Sequence, residues 1–157
     1  MQDAETVTGE LILQHEMFIL DAYLKKALNQ SNMDEITRSL INDLLSTLGM
    51  EELGPLQIYP AADLRAPGWS FIQPITTSHI SGHYFEEANK PSHLHMDIYS
   101  CKSFEWQEVI DLLDKHLSLT EWNANFIQRE DDLNARKVIA LNGTGSNLLS
   151  KTNLTRS

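Results

Sequence analysis

Twelve residues concentrate the reactive side chains of this sequence: Thr76-Thr77-Ser78-His79-Ile80-Ser81-Gly82-His83-Tyr84-Phe85-Glu86-Glu87. They bring together hydroxyls, two imidazoles, aromatic rings and two carboxylates. Ser70 lies eight residues before Ser78, and Cys101, the single cysteine, ends the apolar-polar run that follows. A serine, histidines and a lone cysteine this close in sequence suggest a site, but the types alone leave several chemistries open. His93 and His95 alternate with apolar residues, so both fall on one strand face, with His79, His83 and Asp97 nearby. Two or three imidazoles plus a carboxylate could hold Zn²⁺ or Fe²⁺. His-x-His pairs on strands are common without metal, which ranks this reading lower. A hydrolase triad of Ser78, His83 and Asp97 ranks lower still, since no Gly-x-Ser-x-Gly elbow is present. Taken singly, Ser78 reads as a turn residue, His83 as a satisfied polar side chain and Cys101 as a small buried hydrophobe.

The elements that must position these residues follow from periodicity. Trp69 to Thr76 is predicted as a strand, with Pro74 at an edge or bulge because it lacks an N–H. His79 to Phe85 continues extended, and Ala88 to Ser92 is a polar turn. His93 to Cys101 is a strand with His93, His95, Asp97, Tyr99 and Cys101 on one side. Upstream, Gly9 to Phe18 reads as a first strand, followed by a short helix over Asp21 to Leu28. Asn32, with Glu35 three residues on, has the pattern of a capping box. Ile36, Leu40, Ile41, Leu44, Leu45 and Leu48 then recur at helical spacing, and Gly49 and Gly54 end that helix. Leu56 to Tyr59 is a candidate short strand and Ala61 to Gly68 a loop. Ser103 is expected to cap a second helix buried through Trp106, Val109, Ile110, Leu112, Leu113 and Leu117. Glu121 to Gln128 is expected as the last strand. The expected organisation is a loose end over residues 1–8, one α/β domain over 9–130, and a polar, mobile tail over 131–157. The fold class is an α/β two-layer sandwich, an antiparallel or mixed sheet with two main helices on one face.

Composition narrows the partners. At 157 residues the chain is long enough to bury a core, and 41% apolar with 22% charged residues is ordinary for a soluble domain. A net charge of −10 argues against nucleic acid or an anionic membrane surface. One cysteine fits a reducing compartment, and neither a signal peptide nor a span of ~20 apolar residues is apparent, so a cytoplasmic protein is expected.

From Gly68 to Trp106 the sequence resembles the bacterial and archaeal pyruvoyl-dependent S-adenosylmethionine decarboxylases. That family has a Ser-His-Leu-Ser-x-His-Thr-Trp-Pro-Glu stretch followed by a strand ending in Cys. Here it reads Ser78-His79-Ile80-Ser81-Gly82-His83-Tyr84-Phe85-Glu86-Glu87, then Asp97-Ile98-Tyr99-Ser100-Cys101. Ser70 occupies the place of the family's upstream serine. The resemblance implies cleavage between Thr77 and Ser78, with Ser78 becoming a pyruvoyl cofactor at the new N-terminus. It implies that His83 is the base, that Ser70 holds the processing intermediate and that Cys101 is the proton donor in turnover. It also implies a homodimer with sheets meeting, Phe85 against adenine where the family has Trp, and Glu87 on the ribose hydroxyls. The small-molecule substrate so implied is S-adenosylmethionine, in the service of polyamine synthesis. Arginine or ornithine decarboxylation on the same scaffold, and an unprocessed non-catalytic relative, are the alternatives. Two departures stand out: Thr77 replaces a Glu usual before the processed serine, and the family's Trp-Pro-Glu is lost.

Overall fold

The computed structural model describes residues 13–129 and 136–155. The loose end expected over 1–8, the start of the first strand, and residues 130–135 and 156–157 lie outside the described residues. The strands are β1 (His15–Leu24), β2 (Gln57–Pro60), β3 (Gly68–Ile75), β4 (Ser78–Phe85), β5 (His93–Ser100), β6 (Leu119–Arg129), β7 (Arg136–Thr144) and β8 (Asn147–Asn153). They form one sheet in the order β2-β3-β4-β5-β1-β6-β7-β8. Every pairing is antiparallel, which settles the choice between antiparallel and mixed. Helices α1 (Met33–Leu48) and α2 (Trp106–Leu117) pack against each other, α1 against β2 and β3 and α2 against β6.

The buried layer between helices and sheet follows from two periods. Leu40, Ile41, Leu44 and Leu48 of α1, and Val109, Ile110, Leu113 and Leu117 of α2, recur every three or four residues and are buried. Alternate strand residues meet them: Phe18, Leu20 and Ala22 of β1, Ile80 and Tyr84 of β4, and Leu94, Met96 and Ile98 of β5. Trp69 Nε1 donates to the buried Thr37 Oγ1 at 2.8 Å and ties α1 to β3. Gly49 closes α1 with φ 65°, a left-handed conformation that glycine adopts at little cost.

Several expectations are corrected. Asp21 to Leu28 is not a helix: β1 runs on to Leu24, held by β5 on one side and β6 on the other. Phe18, Leu20, Ala22 and Leu24 alternate into the core, and two full ladders outweigh the helical spacing. Asn32 precedes α1 without a side-chain cap bond, while Asn29 caps the preceding turn. Glu105, not Ser103, stands at the start of α2. The polar stretch expected to be a mobile tail contributes β7 and β8, a hairpin that extends the sheet beyond β6. Pro74 is tolerated because the β2–β3 ladder ends at Gln57↔Ile72, so no β2 residue calls on its missing N–H.

Gly82 shows how tightly the helix-side layer is filled. A Cβ there would lie 2.3 Å from Phe71 Cζ. Gly82→Ala should therefore overpack the core and cost about 1–3 kcal/mol, read as a lower midpoint in thermal or urea unfolding.

Among the described residues, no helix lies on the opposite face of the sheet. Five of the six histidines belong to its strands at positions 15, 79, 83, 93 and 95, alternating with the buried residues.

Candidate functional site

Two clusters form at opposite ends of β4. The first surrounds the Thr77–Ser78 peptide. Thr76 and Thr77 are the two-residue loop of the β3–β4 hairpin, closed by the pair Ile75↔Ser78. Ser78 then pairs with Ser100 on β5. The Cys101 backbone N–H donates to the Thr77 carbonyl at 2.9 Å. Ser100 Oγ donates to Thr77 Oγ1 at 3.0 Å and accepts from the Lys102 N–H at 3.0 Å. Ser78 has φ 153°, a backbone region that non-glycine residues seldom occupy. Cys101 is a free, partly exposed thiol at the end of β5. Glu16, on the strand next to β5 and paired with Ser100, is buried and accepts from the Phe104 N–H and from Gln128 Nε2. It thereby holds the segment that leads away from Cys101.

The second cluster lies on the uncovered face. Ser70 Oγ and His83 Nδ1 are 2.6 Å apart, brought together by the cross-strand pair Ser70↔His83. Phe85 stacks on His83, with ring centroids 6.1 Å apart and planes within 5°. Phe85 also touches His93 and His95, both on β5. Glu87 leaves the end of β4 and meets Lys90 Nζ at 3.2 Å and His93 Nε2 at 3.4 Å. The Lys90 ammonium, by hydrogen bond and charge, holds the Glu87 carboxyl below its ordinary range, with a smaller effect from His93.

The spacing of the two clusters is set by the strand. Ser78 and His83 are five residues apart, an odd number, so they face opposite sides of β4. At ~3.3 Å per residue they are about 16 Å apart along it. One chain therefore gathers Thr77, Ser78 and Cys101 at one end, and Ser70, His83, Phe85 and Glu87 toward the other. Asp97 pairs with Ser81, so the Ser78–His83–Asp97 triad is not assembled. The histidines do not converge on a metal either. His93 Nδ1 and His95 Nε2 bond each other at 2.8 Å, and no set of three His, Cys, Asp or Glu among the described residues is placed to hold an ion.

Residue types alone did not point to the Cys101 backbone N–H on Thr77, nor to the bond between His95 Nδ1 and Asp21 Oδ1 at 2.5 Å. The first depends on the β4–β5 register and the second on β1 lying beside β5, neither of which is local in sequence. Among the described residues, no helix is long and apolar enough to cross a membrane.

A comparison with curated proteins gave no match. The family model described as S-adenosylmethionine decarboxylase matches residues 16–130. That span runs from β1 through β6 and takes in both clusters, leaving β7 and β8 outside it. The match covers well over half of the 157 residues, and the chain belongs to the S-adenosylmethionine decarboxylase family.

Proposed function

We propose that this protein cuts itself between Thr77 and Ser78 and then decarboxylates S-adenosylmethionine with the pyruvoyl group so formed. The observation that carries the reading is the Thr77–Ser78 peptide. Its carbonyl already accepts an N–H, from Cys101 at 2.9 Å, and the residue after it is held at φ 153°. Ser78 Oγ attacks the Thr77 carbonyl carbon, the C–N bond breaks, and an ester replaces the amide. The Cys101 N–H stabilises the oxyanion of that step, and backbone strain of order 1–3 kcal/mol at residue 78 is released by the cut. Removal of the residue 78 α-proton expels the Thr77 carboxylate. Water then replaces the residue 78 nitrogen, which leaves as ammonia.

The base comes from a second copy. His83 lies about 16 Å along β4 from Ser78 of its own chain. The Ser70–His83 pair stands on a sheet face that no other element covers among the described residues. A two-fold pairing of these faces, with strands running oppositely, sets the Ser70–His83 end of each protomer over the Ser78–Cys101 end of the other. In that arrangement Ser70 orients His83 by accepting from Nδ1–H, leaving Nε2 to take the proton.

Residue 78 fits the cofactor. It follows the cut, is partly exposed and lies beside the partly exposed Cys101 thiol. A pyruvoyl group there supplies an electron sink for loss of CO₂. Cys101 delivers a proton to the substrate α-carbon. The partner copy's Phe85 and Glu87 face the adenine and ribose.

Intact-mass measurement tests the reading. The wild-type chain should give fragments 1–77 and 78–157, the latter lacking an amino terminus, while Ser78→Ala should stay whole. A wild-type chain that remains whole on long incubation would favour a non-catalytic relative. Fragments without CO₂ release from S-adenosylmethionine, but with release from arginine or ornithine, would move the substrate.

A further inference from the structure

The hairpin loop that carries the Thr77–Ser78 junction does not hold itself. Two-residue β-hairpin loops favour turns with positive φ at one or both loop residues, as Asn-Gly supplies, because those turns match the twist of the strands. This loop is Thr76-Thr77. Both residues are β-branched, a class poorly suited to positive φ, and neither adopts it; the positive φ falls on Ser78, at 153°. Three bonds from outside hold the loop instead. The Thr76 N–H donates to the Glu51 carbonyl at 2.9 Å, and the Cys101 N–H donates to the Thr77 carbonyl at 2.9 Å. Ser100 Oγ donates to Thr77 Oγ1 at 3.0 Å. Lys102 sets the direction of that last bond: its N–H donates to Ser100 Oγ at 3.0 Å, so the one hydroxyl proton of Ser100 is left to point at Thr77. Ser100 is fully buried, and a hydrogen bond kept from water is electrostatically stronger.

We propose that Ser100 is a positioning residue for self-cleavage, and that the Thr77 hydroxyl is the handle by which it holds the scissile carbonyl on the Cys101 N–H. Ser100 bonds neither reacting atom. It acts through Thr77: with the side chain and the carbonyl of one residue both pinned to the end of β5, the carbonyl carbon stays turned toward residue 78. Thr77, which departs from the Glu usual at this place in the family, is thus fitted to a partner on β5. The inference rests on the reading above and deepens it by naming what holds the junction before the cut.

The test follows cleavage over time by intact mass in freshly translated full-length protein. Ser100→Ala and Thr77→Val should each cleave about tenfold more slowly, the scale of one lost hydrogen bond. The double variant should be no slower than either, because both changes remove the same bond. Thr77→Ser, which keeps the hydroxyl, should recover most of the rate. Ser100→Ala also strips the Lys102 N–H of its partner, so Thr77→Val and Thr77→Ser carry the test if it does not fold. Replacing the loop by Thr76→Asn with Thr77→Gly should slow cleavage at least as much while leaving the melting temperature unchanged or higher. A wild-type rate in Thr77→Val would overturn the assignment, as would a double variant slowed by the product of the two separate effects. The clamp is also read without cleavage, by amide hydrogen exchange in a Ser78→Ala background. There the Cys101 N–H should exchange about tenfold faster once Thr77→Val or Ser100→Ala is added. Faster exchange in those variants beside a wild-type chain that never cuts would remove the self-cleavage reading and leave the clamp on the Thr77 carbonyl standing. Wild-type cleavage with unchanged exchange and unchanged rates in the variants would remove the clamp alone.

Discussion

Ser78→Ala protein and His83→Ala protein, each inert alone, should restore cleavage when refolded together. Only one chain of the mixture should be cut. The His83→Ala chain keeps Ser78 and the Cys101 N–H on its Thr77 carbonyl, and the Ser78→Ala partner supplies an intact Ser70–His83 pair. The Ser78→Ala chain has no nucleophile and should stay whole. The expectation follows from the strand: five residues at ~3.3 Å each put Ser78 and His83 about 16 Å apart on opposite faces of β4, whereas proton transfer needs contact at about 3 Å. Random pairing makes about half of the dimers mixed, and each carries one competent junction, so mass spectrometry should find roughly a quarter of all chains as fragments. A mixture as inert as its components would sink the shared site. Cleavage by purified monomer at high dilution would do so as well, since it would require His83 to reach Ser78 within one chain.

The second large effect separates cleavage from turnover. Cys101 contributes to the first cluster twice, through its backbone N–H on the Thr77 carbonyl at 2.9 Å and through its thiol. Cys101→Ala removes only the thiol. Cleavage should persist, although more slowly, because the N–H donor stays in place. Decarboxylation by the processed protein should fall by about 10²-fold or more, the scale of a lost general acid. Fragment masses report the first step and CO₂ release the second, on one sample. If both steps slowed equally, the thiol would be acting through the shape of the site. Near-normal turnover would leave Cys101 a packing residue.

Much of this was legible from residue types and spacing. The helical spacing of Leu40, Leu44 and Leu48, and of Val109, Ile110 and Leu113, marks two buried helix faces. The alternation of His93 through Cys101 marks a strand with its imidazoles on one side, and the order Ser70, Ser78, His83, Cys101 marks the family. These features are local, set within a few residues by the 3.6-residue turn or the two-residue pleat. The β7–β8 hairpin was not legible. β7 buries only Leu141 and Gly143, and every residue of β8 is exposed, so no hydrophobic period announces either strand. Backbone pairing of β7 to β6, and of β8 to β7, holds them in place. The second half of β1 fits two periods, and only the presence of β5 and β6 on either side chooses between them. The division of the reactive residues into two clusters, and the chain from Asp21 through His95 and His93 to Glu87, depend on which strands lie side by side and in what register. That arrangement is fixed by contacts between residues far apart in the chain, which tertiary structure decides and spacing alone does not.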